Sequence, residues 1–245
     1  MQKKKLILVG SRALLHPLVK TAELCGFEVL GILDQYYYGN TSDIEGIPFI
    51  GSELQLLDPN DSQAQQWRED CWFFVACFWD GKKYPGLDNE QVRKDRISLV
   101  EQANVRIANI IHPDTKFTYG EDSVKLGHGI LITGAVNIAY EVEIGNHVII
   151  DWGSMVYSYA YLEENVTLGI GSRVGCCTIK RNTRIGAHVV LIPIREDNLL
   201  NGHPHIVVGE NCMVWTDARV YKSIPDNSMY TMHDKIASRG VISSK

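Results

Sequence analysis

Residues 142–174 read VEIGNH, VIIDWG, SMVYSY, AYLEEN, VTLGIG and SRV. Cut in this way, the third residue of each unit is Ile144, Ile150, Val156, Leu162, Leu168 and Val174. The pattern extends in both directions. Upstream, VKLGHG, ILITGA and VNIAYE place Leu126, Ile132 and Ile138 at the third position. Downstream, the short unit SRVGC is followed by CTIKRN, TRIGAH and VVLIPI, with Ile179, Ile185 and Leu191. After an interruption, IVVGEN, CMVWTD and ARVYKS supply Val208, Val214 and Val220. Every one of the fifteen units carries Leu, Ile or Val at that position, where chance would supply roughly a quarter.

A period of six drifts around an α-helix of about 3.6 residues per turn, so no helix gathers these positions on one face. A short strand with its third residue inward, followed by a turn, does. Three units close one triangular coil of about 18 residues, and stacked coils about 4.8 Å apart bury a continuous aliphatic column. Gly127, Gly145, Gly169 and Gly186 fall in the turns, where conformational freedom is expected to be useful. Residues 111–230 are thus expected to form an all-β parallel β-helix. A loop insertion at 195–205 and a C-terminal tail at 231–245 complete this half.

Upstream, Leu6-Ile7-Leu8-Val9 is a short apolar run ending at Gly10 and reads as a buried parallel strand. Leu14 to Cys25 carries apolar residues at helical spacing, and Gly26 stops it. Phe27 to Leu33 is the next strand and closes on Asp34, 24 positions after Gly10. This is the layout of a mononucleotide-binding βαβ unit. Two of its usual glycines are missing, since Ser11, Arg12, Ala13 and Leu14 follow Gly10. Arg12 offers a charge-assisted phosphate contact in their place. Residues 43–52 read as a short edge strand and a helix start, Trp72 to Trp79 as a buried strand, and Val105 to Ile111 as a last strand. Asp88 to Ala103 reads as an amphipathic helix with Val92, Ile97, Leu99 and Val100 on its apolar side. Residues 1–110 are expected to be a Rossmann-like α/β domain, with a binding pocket that is either occupied or unused.

Composition narrows the function. The net charge of −5 gives no surface for nucleic acid. The longest apolar stretch, Trp72 to Trp79, has eight residues, against about 20 for a membrane helix. No leader pattern is read, so a cytoplasmic protein without membrane insertion is expected. Cysteines 25, 71, 77, 176, 177 and 212 lack paired spacings, so reduced thiols are expected and no metal site.

The hexads resemble those of the hexapeptide-repeat acyltransferases, which form left-handed parallel β-helices and trimerise. With Gly10-Ser11, Leu33-Asp34, Gly46-Ile47-Pro48, Ile111-His112-Pro113 and Ile224-Pro225-Asp226-Asn227-Ser228, the chain resembles the sialic acid O-acetyltransferase (NeuD/PglD) family over nearly its whole length. The resemblance implies a homotrimer using acetyl-CoA, bound in a groove between subunits, here at Gly169, Gly171, Gly186 and Ala187. It implies a sugar or nucleotide-sugar acceptor in bacterial surface-glycan synthesis, bound in part at Gly10, Ser11, Arg12, Asp34 and Tyr159. It also implies a catalytic His, followed by an orienting Asp, as general base.

The chain departs from that pattern at the base. The family's stretch I-N-T-G-A-x-V-[DE]-H-D-C matches Ile150 to Ala160, which puts Ser158 at the catalytic His and Tyr159 at the Asp. The second family His corresponds to Thr167. A serine hydroxyl is no base at pH 7 without a partner. Two accounts stay open. In one, a histidine of the insertion, His203 or His205, reaches Ser158 from about two coils away. In the other, acyl transfer is lost and a trimeric binding or regulatory relative remains. His147 and His188 end their hexads at other corners and read as ordinary turn or surface residues. Tyr157, Tyr159 and Tyr161, with Trp152, read as an aromatic row suited to stacking on a sugar.

Overall fold

The computed structural model describes residues 3–12, 15–77, 88–193, 199–200, 203–231 and 236–238; at 11–12, 199–200, 203–204 and 236–238 it describes the backbone alone. The chain divides into two compact units, residues 1–110 and 111–245. Among the described residues no helix is long and apolar enough to cross a membrane.

The N-terminal unit contains β1 (Lys4–Arg12), α1 (Leu15–Leu24), β2 (Phe27–Leu33), β3 (Asp43–Ile44), β4 (Ile47–Gly51), α2 (Ser62–Asp70), β5 (Trp72–Cys77) and α3 (Asn89–Gln102). The sheet order is β3-β4-β2-β1-β5, parallel except for the β3–β4 hairpin. Strand β1 is buried on both faces because its residues alternate between two packed layers. Ile7 and Val9 join Phe73 and Val75 against α2 and α3, and Leu6 and Leu8 are equally buried on the other side. Of the expected last strand, residues 105–111, only Ile107 bridges to Phe73 of β5, while Ile110–Ile111 is a strand of the β-helix. Asn104 turns the chain at φ 49°, so only one residue reaches the β5 edge in register. Phe78 and Trp79, expected within β5, lie outside the described residues.

Charge is buried at the carboxyl end of this sheet. Arg96 of α3 reaches Asp34 Oδ1 at 3.0 Å and Glu53 Oε1 at 2.9 Å. The backbone N–H groups of Tyr36 and Gln35 donate to the same two carboxylates. Arg93 donates to the carbonyls of Val75 and Cys77. A β-carbon at Gly10 would collide with Cys77 Sγ and lie 2.5 Å from Arg96 Nη1. The crevice between the ends of β1 and β5 is where an open α/β sheet takes a ligand's phosphate. Here the guanidinium of Arg96 lies close beside Gly10. Asp34, read from sequence as a substrate contact, is fully buried against Arg96.

The second unit is a parallel β-helix with three faces. The first face runs Ile110–Ile111, Leu131–Ile132, Ile149–Ile150, Thr167–Leu168, Arg184–Ile185, Met213–Val214 and Ser228–Tyr230. The second runs Lys116–Phe117, Asn137–Ile138, Met155–Val156, Arg173–Val174, Val190–Leu191 and Arg219–Val220. The third runs Val124–Leu126, Val142–Ile144, Ala160–Leu162, Cys177–Ile179 and Ile206–Val208. Register follows the hexads: Ile150 pairs with Leu168, Val156 with Val174 and Ile144 with Leu162. From Ile132 to Val220 every third-position residue is at most 2% exposed, and Leu126, in the first complete coil, is half-buried. Within the expected C-terminal tail, Ile236–Ser238 runs antiparallel to Ser228–Tyr230.

Most units turn the corner on their last residue in the left-handed conformation, Ser223 being an exception among the described residues. Ala135, Glu141, His147, Tyr159, Asn165, Cys176, Asn182, His188, Asn211 and Asp217 all have φ between 46° and 61°. The fourth-position glycines act differently from the expectation. Gly169 and Gly186 are absent from the residues with positive φ, and a β-carbon at Gly186 would sit 2.5 Å from the amide nitrogen of Thr216 in the next coil. Close stacking of coils, and not backbone freedom, is what requires glycine there.

Replacing Arg96 with Ala leaves two buried carboxylates without their counter-charge. Arg96→Ala is expected to destabilise the N-terminal unit by roughly 3–5 kcal/mol in urea unfolding. Ser98→Ala, on the exposed side of the same helix, is expected to change it by less than about 0.5 kcal/mol. Equal effects would refute a stabilising role for the buried ion set.

Candidate active site

Ser158 lies at the corner between the second and third faces, half-buried. Its carbonyl accepts from Cys176 N, and the carbonyl of Cys176 accepts from Ile206 N. The insertion leaves the β-helix at this same corner, between Val190–Leu191 and Ile206–Val208. Two backbone steps therefore separate Ser158 from His205, about 10 Å along the stack. His205 does fold back, but onto the outer side of the third face. Its Nε2 shares a hydrogen bond of 2.9 Å with Thr178 Oγ1, and its ring lies 6.0 Å from that of Tyr161. Burial pushes the imidazole's pKa down. His203 lies on the short strand His203–Pro204, paired with Leu199–Leu200, and its side chain is outside the described residues. The thiols of Cys176 and Cys177 are pushed up by burial, so neither supplies a thiolate at this corner near neutral pH.

The aromatic row runs along the stack and not along the strand. Tyr119, Tyr140 and Tyr159 form an edge-to-face ladder with centroid separations of 5.1 and 5.7 Å. Tyr157 instead directs its hydroxyl to Met155 Sδ, and Tyr161 stands beside His205. Trp152 is exposed at a different corner.

The corner between the first and second faces holds Gly169, Gly171, Gly186 and Ala187 together with His188. A cavity of about 340 Å³ opens there, lined by Gly153, Gly171, Arg173, His188 and Val190. Gly153, Gly171, His188 and Asp217 occupy the same hexad position in successive coils. Their N–H groups donate in turn to Gly134, Trp152, Ile170 and Ala187. His188 Nδ1 stands 3.7 Å from Asp217 Oδ1. The other long edge of the ring faces Gly171, where a β-carbon would approach Cδ2 to 3.1 Å and Nε2 to 3.5 Å. Arg173 makes no ion pair among the described residues. His147, the other corner histidine read as a turn or surface residue, is in a turn but buried, edge-on to His128.

Sequence reading missed the His188–Asp217 pair because the insertion sets the two 29 residues apart in the chain, where uninterrupted coils repeat every 18. The signal was present, since Asp217 ends the hexad CMVWTD as His188 ends TRIGAH. Of the substrate positions expected in the N-terminal unit, Gly10 is packed under Arg96, and the side chains of Ser11 and Arg12 lie outside the described residues.

No family profile matches the sequence. No curated protein sequence matches it either. Solved structures do. A variant of GDP-perosamine N-acetyltransferase from Caulobacter crescentus, in complex with CoA and GDP-perosamine, has 20% identity and a TM-score of 0.72, covering 95% of this chain and 96% of its own. The acetyltransferase domain of PglB from Neisseria gonorrhoeae, in complex with acetyl coenzyme A, has 18% identity and a TM-score of 0.73 over 96% and 99%. WeeI from Acinetobacter baumannii has 19% identity and a TM-score of 0.68 over 96% and 100%. At these identities the likeness establishes a shared fold.

The depressed pKa of His205 has a consequence for stability. The folded state favours the neutral ring, so the stabilisation is present above the ordinary imidazole value of about 6.5 and is lost as pH falls through the lower folded value. His205→Gln is expected to flatten the acid side of the stability-against-pH curve in thermal unfolding. An unchanged slope would show that His205 is solvated when folded.

Proposed function

We propose that the chain is an acyl-CoA-dependent acyltransferase that acetylates an amino or hydroxyl group of a sugar or nucleotide sugar. The observation that carries this reading is the trough at the first–second corner, on a parallel β-helix shared over nearly full length with CoA-bound sugar N-acetyltransferases. The reading takes the β-helix as left-handed, the N-terminal unit as Rossmann-like, and the assembly as a cytoplasmic homotrimer serving surface-glycan synthesis. Gly169, Gly171, Gly186 and Ala187 present a corner of small residues along which the pantetheine arm of acetyl-CoA lies. The acceptor is met by the chain following Gly10, including Ser11 and Arg12, with Asp34 acting through Arg96. Tyr159, on the tyrosine ladder, offers the sugar an aromatic edge.

The chemistry needs a group that removes a proton from the acceptor as it attacks the thioester. At the second–third corner the proposed set is Ser158 with His203 or His205. The engagement of His205 Nε2 by Thr178 weighs against that histidine and favours a second reading, a trimeric relative that binds but does not turn over.

A thiol-release assay with acetyl-CoA and a panel of amino- and hydroxyl-bearing nucleotide sugars separates the two. The acyltransferase reading expects acceptor-dependent release at a kcat on the order of 1–1,000 per second. Binding of acetyl-CoA by calorimetry without release on any acceptor would favour the non-enzymatic relative. Failure to bind acetyl-CoA would remove both readings.

A further inference from the structure

We propose that His188, in place of Ser158 with His203 or His205, is the general base of the acyl transfer, held in position by Asp217, in the trough between the first and second faces; this rests on the acyltransferase reading above but not on its choice of base. The resemblance to known acetyltransferases leads to Ser158, at a different corner, and gives no role to either residue.

The position of the pair is fixed by the β-helix. His188 and Asp217 both turn corners in the left-handed conformation, at φ 58° and 61°. Each is pinned by its N–H to the coil before, His188 to Ile170 O at 2.7 Å and Asp217 to Ala187 O at 2.9 Å. The carboxylate therefore sits one rung beyond the imidazole, 3.7 Å from Nδ1. Below the ring the rung is Gly171, and below that Gly153, so two coils in succession carry no side chain at this position. The result is a notch that opens beside Nε2. That nitrogen has no hydrogen-bond partner among the described residues.

The pair contributes little to folding. Its side chains are 64% and 59% exposed, and ion pairs of that kind add little stability. A ring oriented by a carboxylate at one nitrogen, with the other aimed into a cavity, is the arrangement of a general base. Among the described residues, Arg173 of the second face lines the same cavity as the ring, and Asp217 lies beside it in the next coil.

The reaction balances with these groups. The acceptor's neutral amine or hydroxyl attacks the thioester carbonyl carbon, and its proton passes to Nε2 as the new bond forms. The carbonyl electron pair moves to oxygen, for which Arg173 is the available cation. The carbonyl re-forms, the C–S bond breaks, and the departing thiolate takes the proton back from the imidazolium. The products are acylated acceptor and free CoA thiol, with His188 neutral again.

The test uses the full chain in the thiol-release assay. His188→Ala and His188→Gln are expected to lower kcat by about 100-fold or more, with KM for acetyl-CoA within about threefold. Asp217→Asn is expected to lower kcat by about 10-fold with KM for acetyl-CoA within about threefold, a split that a merely structural role would not produce. Wild-type turnover in both His188 variants overturns the proposal and leaves the acyltransferase reading standing. A wild-type chain that binds acetyl-CoA and releases no thiol overturns both. An unchanged kcat in Asp217→Asn removes Asp217 as the positioning residue. Should the variants fail to fold, the His188 ring resonances of the wild type are expected to shift on addition of acetyl-CoA, and no shift overturns the proposal.

Discussion

Everything in the second unit depends on the register between stacked coils. Each rung sends one aliphatic side chain inward, and most rungs turn their corner on one left-handed residue. For residues other than glycine that conformation costs roughly 1–2 kcal/mol. The β-helix accepts the cost at Glu141, Tyr159, Cys176, His188 and Asp217, among others. The column from Ile132 to Val220, almost fully buried, offsets it. A slip of one residue would turn that column outward. Where the first position of a hexad is polar, the register still holds. The hydroxyls of Ser154, Ser172 and Thr183 donate to the carbonyls of Gly169, Gly186 and Gly209.

The N-terminal unit is organised around a charge instead. Arg96 is the centre of an ion set with Asp34 and Glu53, closed over by Gly10 and Cys77. Two carboxylates and a guanidinium taken out of water are stable only while all remain together. Because this set lies beside Gly10 of β1 and Cys77 of β5, it ties the ends of those strands to α3. The missing glycines after Gly10 and the buried arginine are two sides of one fact: the close approach that glycine would permit is already used internally.

The sequence displayed the aliphatic column plainly, because Leu, Ile and Val at a fixed period leave little other use for those positions. It displayed the ion set poorly. Arg93 and Arg96 look like surface residues by type, and only their spacing with Val92, Ile97 and Val100 places them on the apolar side of α3. Single-residue features were hidden for a different reason. The reduction of the last N-terminal strand to Ile107 depends on a turn at Asn104 that asparagine permits but does not demand. The direction taken by His205 depends on Thr178 and Tyr161, which are close only after the third face has formed.

The insertion explains why chemistry can sit at more than one corner. It leaves and re-enters at the second–third corner, and the hydrogen bonds of the first–second corner run through without a break. Val190 N still donates to Ala218 O, and Asp217 N to Ala187 O, across the lengthened coil. One coil therefore carries the inserted loop on one edge and the His188–Asp217 pair on another. A loop at one corner varies in length without disturbing the other two, because each corner is tied only to the rungs directly before and after it. The side chain at Ser158 consequently places no constraint on the trough at His188, and each corner of this fold is built independently of the other two.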